Sequence, residues 1–177
     1  VKGLEVVSFN GVASSVSVNL GKASFDPALV PVNSEKELIC ANINLGGKDY
    51  AVTAVNVGNS HCVVFCDKVD DVDMDALGQA VMASGLFPSL SYVECVRIVN
   101  DLAVKVRVWD KINGETMACG TAAAAVAAAA IKMGSCAKDK VITIKLRGGD
   151  LFVKCLENGD LILDGSVKQS FEGVIEI

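Results

Sequence analysis

The chain has 177 residues, of which 51% are hydrophobic, 5% aromatic and 21% charged, and its net charge is −5. This is the composition of one folded domain with a core of Val, Ile, Leu and Ala, and it excludes a disordered chain. No basic cluster is present for binding nucleic acid, and no apolar run of about 18 residues is present for crossing a membrane.

Turn signals divide the chain into short strands. The dipeptides that separate two apolar runs are Asn10-Gly11, Gly46-Gly47, Gly148-Gly149 and Asn158-Gly159. Such dipeptides favour β-hairpins. Apolar residues alternate with polar or charged ones over residues 104–108 and 142–146, which predicts half-buried strands. Together these patterns predict an antiparallel arrangement.

Two helices are predicted between the strands. Residues 73–84 carry one apolar stripe behind an Asp73 cap, so this helix is expected on the outside of a sheet. Eight of the nine residues from 122 to 130 are alanine, and the ninth is Val126. This second helix has no polar face, so it is expected to be buried on all sides and to end at Gly134. The predicted fold class is α+β, an antiparallel β barrel-like shell around a central alanine-rich helix.

Seven cysteines lie at positions 40, 62, 66, 95, 119, 136 and 155. An odd number without a dense framework favours free thiols in a reducing cytoplasm. Five of them, at 40, 62, 66, 95 and 155, fall in predicted strands and are expected to be inert when buried. Cys136 follows the alanine-rich helix near its negative end, where a thiolate is disfavoured. Cys119 lies at the positive end of the same helix, so it is predicted to be the most reactive thiol.

Cys119 falls at or just before the start of the alanine-rich helix. Free amides and the positive end of the helix dipole stabilise a thiolate there. The Gly120 and Thr121 amides and the Thr121 hydroxyl could then hold a carboxylate. A thiol beside a carboxylate cradle suits proton abstraction next to a carboxylate, or covalent attack. The alternative interpretation is a buried structural cysteine.

Two other patterns predict no metal site. His61, Cys62 and Cys66 give an H-C-x₃-C spacing that has no strong precedent among metal sites. The aspartates between residues 67 and 75 are expected to form a solvated loop and a helix cap.

Residues 18–22 and 55–59 are similar to each other, either as an internal echo or as two similar joins between a strand and a turn.

Four motifs resemble those of the diaminopimelate epimerase family. Residues 107–122 read R-V-W-D-K-I-N-G-E-T-M-A-C-G-T-A and resemble the second catalytic motif, roughly R-x-W/Y-E-R-G-x-G-x-T-x-A-C-G-T-G. Residues 57–63 resemble M-G-N-P-H-x-V, and residues 146–151 resemble L-P-G-G-x-L. Residues 163–166 with 171–173 resemble T-G-P-A…F-x-G. The motifs follow in order with matching spacing, so the chain is similar to the C-terminal half of this family.

The resemblance implies a fold of two similar halves, each a β barrel around one helix, facing each other across a cleft. It also implies a mechanism without a cofactor, in which one cysteine removes the α-proton of an amino acid and a second protonates the opposite face. Cys119 corresponds to one of these thiols, and His61 and Asp110 to the residues that tune their acidity. The implied substrate-binding positions are Asn59, Tyr92, Asp110, Lys111, Gly120 and Thr121. Tyr92 occupies a position where the family has asparagine, and Asp110-Lys111 replaces the Glu-Arg pair of the family.

The expected function follows from this resemblance. Residues 1–177 are expected to form a single domain that is the C-terminal half of a cytoplasmic epimerase. The expected reaction is that of diaminopimelate epimerase, which converts LL- to meso-diaminopimelate in the biosynthesis of lysine and cell-wall precursors. Without the first half, which has its own cysteine motif, the chain is expected to be inactive alone. Its expected partners are a small amino-acid substrate, the N-terminal half or a second chain, and a second copy in a homodimer. The alternative is a catalytically silent domain, a pseudoenzyme or an interaction module.

Overall fold

The computed structural model describes residues 3–90 and 92–175, without the side chain of Phe9. This part of the chain is mostly sheet, with two α-helices. The strands are β1 (Leu4–Phe9), β2 (Val12–Lys22), β3 (Ala41–Leu45), β4 (Lys48–Asn56), β5 (Ser60–Phe65), β6 (Tyr92–Asn100), β7 (Ala103–Asp110), β8 (Gly114–Thr116), β9 (Val141–Leu146), β10 (Gly149–Cys155) and β11 (Asp160–Ser166). The helices are α1 (Met74–Ala83) and α2 (Gly120–Lys132), and a 3₁₀ turn covers Val69–Asp71. Neither described helix is long and apolar enough to span a membrane.

All eleven strands belong to one sheet, in the order β1-β2-β11-β10-β9-β7-β6-β5-β4-β3, with β8 paired to β7. Most pairs are antiparallel, as predicted, but β5–β6 and β7–β9 are parallel. The purely antiparallel prediction is therefore wrong at these two pairs. The physical reason is the connection between the strands, because parallel neighbours need a long crossover. The chain between β5 and β6 contains α1, and the chain between β7 and β9 contains α2.

The sheet does not close into the predicted barrel-like shell. It ends at β1, which pairs with β2, and at β3, which pairs with β4. An isolated bridge brings the two ends of the sheet toward each other, since the Ser24 and Asn56 amides each donate to the other's carbonyl, at 2.8 and 2.9 Å. This single bridge joins the chain after β2 to the last residue of β4 without extending the ladder.

The two helices lie against opposite faces of the sheet. On β5, Val63 packs in the apolar cluster that contains α2, whereas Cys62 and Val64 pack in the cluster that contains α1. This alternation follows from the period of two residues in a strand. All residues of α2 from 122 to 130 are buried, and the helix contacts β4, β5, β6, β9, β10 and β11. The helix begins after Cys119 and is followed by Gly134 at φ 80°, as predicted.

The predicted turns have the backbone that their residues favour. Asn10 and Gly11, between β1 and β2, have φ values of 51° and 78°. The two similar segments, residues 18–22 and 55–59, form the same kind of turn. Asn19 Oδ1 accepts from the Gly21 amide at 2.8 Å, and Asn56 Oδ1 accepts from the Gly58 amide at 2.6 Å. The similarity of the two segments is thus a shared join between a strand and a turn.

Candidate functional site

Three adjacent strands place three predicted site residues in one row. In the parallel pairing of β5 with β6, His61 lies opposite Tyr92. In the antiparallel pairing of β6 with β7, Tyr92 lies opposite Asp110. Side chains in register on neighbouring strands project from the same face of a sheet. His61, Tyr92 and Asp110 therefore form a continuous line although they are far apart in sequence.

His61 is completely buried and both of its ring nitrogens are engaged. Nδ1 lies 2.6 Å from Glu94 Oε1, and Nε2 lies 3.0 Å from Asn59 Oδ1. The Tyr92 ring stacks on the imidazole, with ring centroids 5.3 Å apart and an angle of 14° between the planes. These contacts fix the orientation of the ring and connect it to the predicted substrate-binding positions Asn59 and Tyr92.

Glu94 is a member of this group that the sequence reasoning missed. Its side chain is fully buried, and in the described part of the chain its Oε2 atom has no hydrogen-bond partner. Burial raises the pKa of Glu94, and the nearby His61 acts in the opposite direction. The available signal was an acidic residue inside the apolar run Val93–Val96 of β6, since buried carboxylates usually have a specific partner.

Asp110 ends β7 and closes the turn that follows. Its Oδ1 accepts from the amides of Ile112 and Asn113, both at 2.8 Å, and from Asn113 Nδ2 at 3.0 Å. Burial acts to raise the pKa of Asp110, but the amide hydrogen bonds outweigh it and the pKa lies below its usual value. The next residue, Lys111, is exposed in this turn.

Cys119 is the N-cap residue of α2, as predicted. Its carbonyl accepts from the Ala123 amide at 3.0 Å, so the amides of Gly120, Thr121 and Ala122 belong to the first turn and have no partner within the helix. Cys119 Sγ lies 3.4 Å from Thr121 Oγ1. A Cβ atom at Gly120 would lie 2.9 Å from Leu163 Cδ2, so glycine allows the helix to begin close to β11.

The Tyr92 hydroxyl connects the row of side chains to the start of α2. Burial, with the charges and hydrogen bonding of Cys119 and Asp110, raises the pKa of Tyr92. The structure thus brings together all predicted site residues except Lys111, whose side chain points to solvent. The residues grouped here are Asn59, His61, Tyr92, Asp110, Cys119, Gly120 and Thr121.

An ion-pair cluster anchors the segment before Cys119. Arg107, on β7, donates from Nε and Nη2 to the two carboxylate oxygens of Glu115, on β8, at 2.7 and 2.9 Å. Arg147 Nη1 lies 2.9 Å from Glu115 Oε2. Further along, the Gly148 amide donates to the Met117 carbonyl at 2.7 Å. Gly148 was predicted only as a turn residue, but its amide also holds the loop leading to Cys119.

His61, Cys62 and Cys66 are not arranged as ligands of one metal ion. Both nitrogens of His61 already face oxygen atoms of Asn59 and Glu94. Across the described residues, no group of three or more His, Cys, Asp and Glu side chains could hold a metal ion.

Solved structures with the same fold are epimerases and related proteins. A hydroxyproline epimerase from Agrobacterium vitis aligns with a TM-score of 0.61 at 14% identity, covering 90% of this chain and 50% of that protein. A phenazine biosynthesis protein of the PhzF family from Bacillus anthracis aligns with a TM-score of 0.57 at 10% identity, covering 98% and 65%. The chain therefore has an epimerase- and racemase-like fold.

Sequence relatives define the family more narrowly. The profile described as Diaminopimelate epimerase matches residues 53–169. Diaminopimelate epimerases from Acetivibrio thermocellus and Leptospira biflexa are 34% and 36% identical, over 100% and 95% of this chain. The chain belongs to the diaminopimelate epimerase family, as its motifs predicted. It spans 63% and 60% of the length of these two relatives.

Proposed function

We propose that this chain supplies part of the active site of a cofactor-independent amino-acid epimerase, with Cys119 as one of two thiol acid/bases. The observation that carries the proposal is the position of Cys119 at the N-cap of α2. The thiol lies beside first-turn amides that have no partner within the helix, and near the Tyr92 hydroxyl. This setting combines a group that can take a proton with a place for an anion.

The proposed proton transfer uses the two features together. The amides of Gly120 and Thr121 bind the α-carboxylate of the substrate and hold its Cα–H bond next to Cys119 Sγ. The thiolate takes the α-proton, and the electron pair of the broken C–H bond is delocalised into the carboxylate. A second thiol outside the described chain donates a proton to the opposite face of Cα, which inverts the stereocentre. Diaminopimelate is the proposed substrate, in the LL to meso direction.

The neighbouring residues support this role through hydrogen bonds. The side chain of Tyr92 lies close to both Asp110 and Cys119, so the Asp110 carboxylate can act on the thiol through the Tyr92 hydroxyl. His61 orients Asn59, whose amide is available to a substrate polar group. Lys111, exposed at the rim, is proposed to attract the distal carboxylate of the substrate.

The second half of the site must come from outside the described residues. We propose that the N-terminal part found in relatives, or a second chain, supplies the other thiol and covers Cys119. In that assembly the open sheet and α2 correspond to the barrel and central helix of one half, and a homodimer is a further proposed state. The proposed location is the cytoplasm.

Competitive alkylation tests the carboxylate site beside Cys119. Iodoacetate carries a carboxylate and iodoacetamide does not, so the ratio of their alkylation rates reports an anion site next to a thiol. We expect this ratio to be higher at Cys119 than at Cys155, a half-buried thiol at the end of β10, and diaminopimelate to slow labelling of Cys119 selectively. Equal ratios at both thiols, without protection by diaminopimelate, would contradict the proposal.

A catalytically silent domain is the second candidate, and the Tyr92 side chain favours it. A tyrosine replaces the asparagine of the family motif, and its ring packs on His61 with its hydroxyl toward Cys119. Such a side chain could occupy substrate space. In the Tyr92→Asn variant, stronger protection of Cys119 by diaminopimelate than in the wild type would indicate that Tyr92 blocks the site. Protection that is lost on this substitution would indicate that Tyr92 binds substrate.

A further inference from the structure

Two thiols that the proposed reaction does not use are in direct contact. Cys66 Sγ and Cys95 Sγ lie 2.8 Å apart. Cys95 is within β6, and Cys66 is the first residue after β5. The Cys66 amide donates to the Val96 carbonyl at 2.9 Å, which fixes the backbone of Cys66 against β6. The pairing of β5 with β6 therefore brings the two cysteines close together.

The two thiols differ in their access to solvent. Cys95 is completely buried, whereas Cys66 is partly exposed. Cys66 also lines a cavity of about 680 Å³ between β4, β5 and α1, together with Lys48, Tyr50 and Leu77. The prediction that Cys66 lies within a strand is wrong, because β5 ends one residue before it. A small reagent in the cavity can reach Cys66 and cannot reach Cys95 first.

The same asymmetry decides which sulfur carries negative charge. The hydrogen bond from the Cys95 thiol lowers the pKa of Cys66. Burial and the negative charge of Asp67 oppose this lowering, and the positive charge of Lys48 adds to it. The hydrogen bond to Cys66 and burial raise the pKa of Cys95. Cys66 is thus the nucleophilic sulfur and Cys95 the proton donor next to it.

We propose that Cys66 and Cys95 are a modification site, an oxidation-sensitive dithiol that a hydroperoxide converts to an intramolecular disulfide. The Cys66 thiolate attacks one peroxide oxygen, the O–O bond breaks, and the departing oxygen takes a proton. This step leaves a sulfenic acid on Cys66. The Cys95 sulfur then attacks the Cys66 sulfur, the S–O bond breaks, and the hydroxyl leaves as water with the Cys95 proton. With hydrogen peroxide, two thiols lose two electrons and two waters form.

Peptide mapping of the full chain after exposure to hydrogen peroxide tests this site. After the peroxide is removed, the chain is unfolded and its remaining thiols are alkylated with N-ethylmaleimide. We expect the loss of two alkylatable thiols and a cross-linked pair of tryptic peptides that joins residues 49–68 to residues 69–97. Dithiothreitol should restore both thiols, because the change is a disulfide.

Three single variants identify the sulfurs involved. Cys62 shares a tryptic peptide with Cys66 and is fully buried on β5, so Cys62→Ala is the matched control and should keep the cross-link. Cys66→Ala and Cys95→Ala should each abolish it. If Cys95→Ala does not fold, Cys66→Ala decides the question, because its side chain is partly exposed. A cross-link that persists in Cys66→Ala, one that forms only between chains, or oxygen addition without any cross-link would overturn the proposal.

Discussion

Glu94 Oε1 lies 2.6 Å from His61 Nδ1, and both side chains are completely buried. The two residues stand on adjacent parallel strands, and the remaining ring nitrogen of His61 faces Asn59. The orientation of the predicted substrate-binding asparagine therefore depends on a carboxylate in the interior, through an imidazole that solvent does not reach.

Removal of the Glu94 carboxyl group should destabilise the chain. The Glu94→Ala variant leaves the His61 Nδ1 atom buried without a partner, and we expect it to lose about 1–3 kcal/mol of unfolding free energy. Glu94→Gln is the matched control, since it keeps an oxygen at the same place and should lose less. Urea unfolding of both variants measures the difference. Equal stability of the two variants would show that the hydrogen bond to His61 contributes nothing.

An alanine at Gly78 should destabilise the chain although alanine favours helices. A Cβ atom there would overlap the Trp109 ring. Helix propensity alone predicts a gain of about 0.8–1.0 kcal/mol, whereas overpacking predicts a loss of about 1–3 kcal/mol. We expect a net loss, measured by urea unfolding followed by fluorescence of Trp109, the only tryptophan. The exposed neighbour Gln79→Ala is the control, and a more stable Gly78→Ala variant would contradict the observed packing.

The contribution of Glu115 to stability should depend on pH. The hydrogen bonds from Arg107 lower the pKa of Glu115, burial opposes this, and the charges of Arg107 and Arg147 add to the lowering. A carboxyl group with a lowered pKa stabilises the fold above its ordinary pKa of 4.5, and this stabilisation is lost as the pH falls through the folded-state value.

Urea unfolding of Glu115→Gln at a series of pH values checks this dependence. Near neutral pH we expect the variant to be less stable than the wild type by about 1–3 kcal/mol. The difference should shrink as the pH falls below 4.5. Glu157→Gln, on the exposed turn after β10, should match the wild type throughout. A Glu115→Gln deficit that stays constant with pH would mean that the charge of Glu115 is not responsible.

The isolated chain should not invert an amino acid. Inversion needs a proton acceptor and a proton donor on opposite faces of Cα, and the proposal assigns Cys119 to one face. In deuterium oxide, chiral chromatography of LL-diaminopimelate should detect no meso isomer, and mass spectrometry should detect no deuterium in an inverted product. Exchange of the α-proton with retention is compatible with a single thiol. Formation of deuterated meso-diaminopimelate would contradict the prediction.

Local structure could be predicted from the sequence because it depends on neighbours in the chain. Alternation at Val104, Val106 and Val108 predicted β7, and the alanine run predicted the position and burial of α2. Cys119 was correctly expected at the helix start for the same reason. The prediction failed locally at Cys40, which lies before β3 with φ 49° and not within a strand.

The row of side chains could not be predicted in this way. His61, Tyr92 and Asp110 are brought together by the register of β5, β6 and β7, and register depends on pairing between distant segments. The motif resemblance assigned these positions to a site, but the contact of Glu94 with His61 and that of Cys66 with Cys95 have no signal in local spacing. Both contacts follow from the parallel pair that the crossover through α1 creates.

The buried alanines of α2 also determine which parts of the site can move. Nine consecutive buried residues with small side chains keep the helix axis close to the sheet, and neighbouring atoms leave little room for the helix to slide or rotate. The backbone of Cys119 is fixed to this helix. Cys119 therefore has a stationary position in the fold, and α2 is the fixed reference against which any molecule bound beside it is placed.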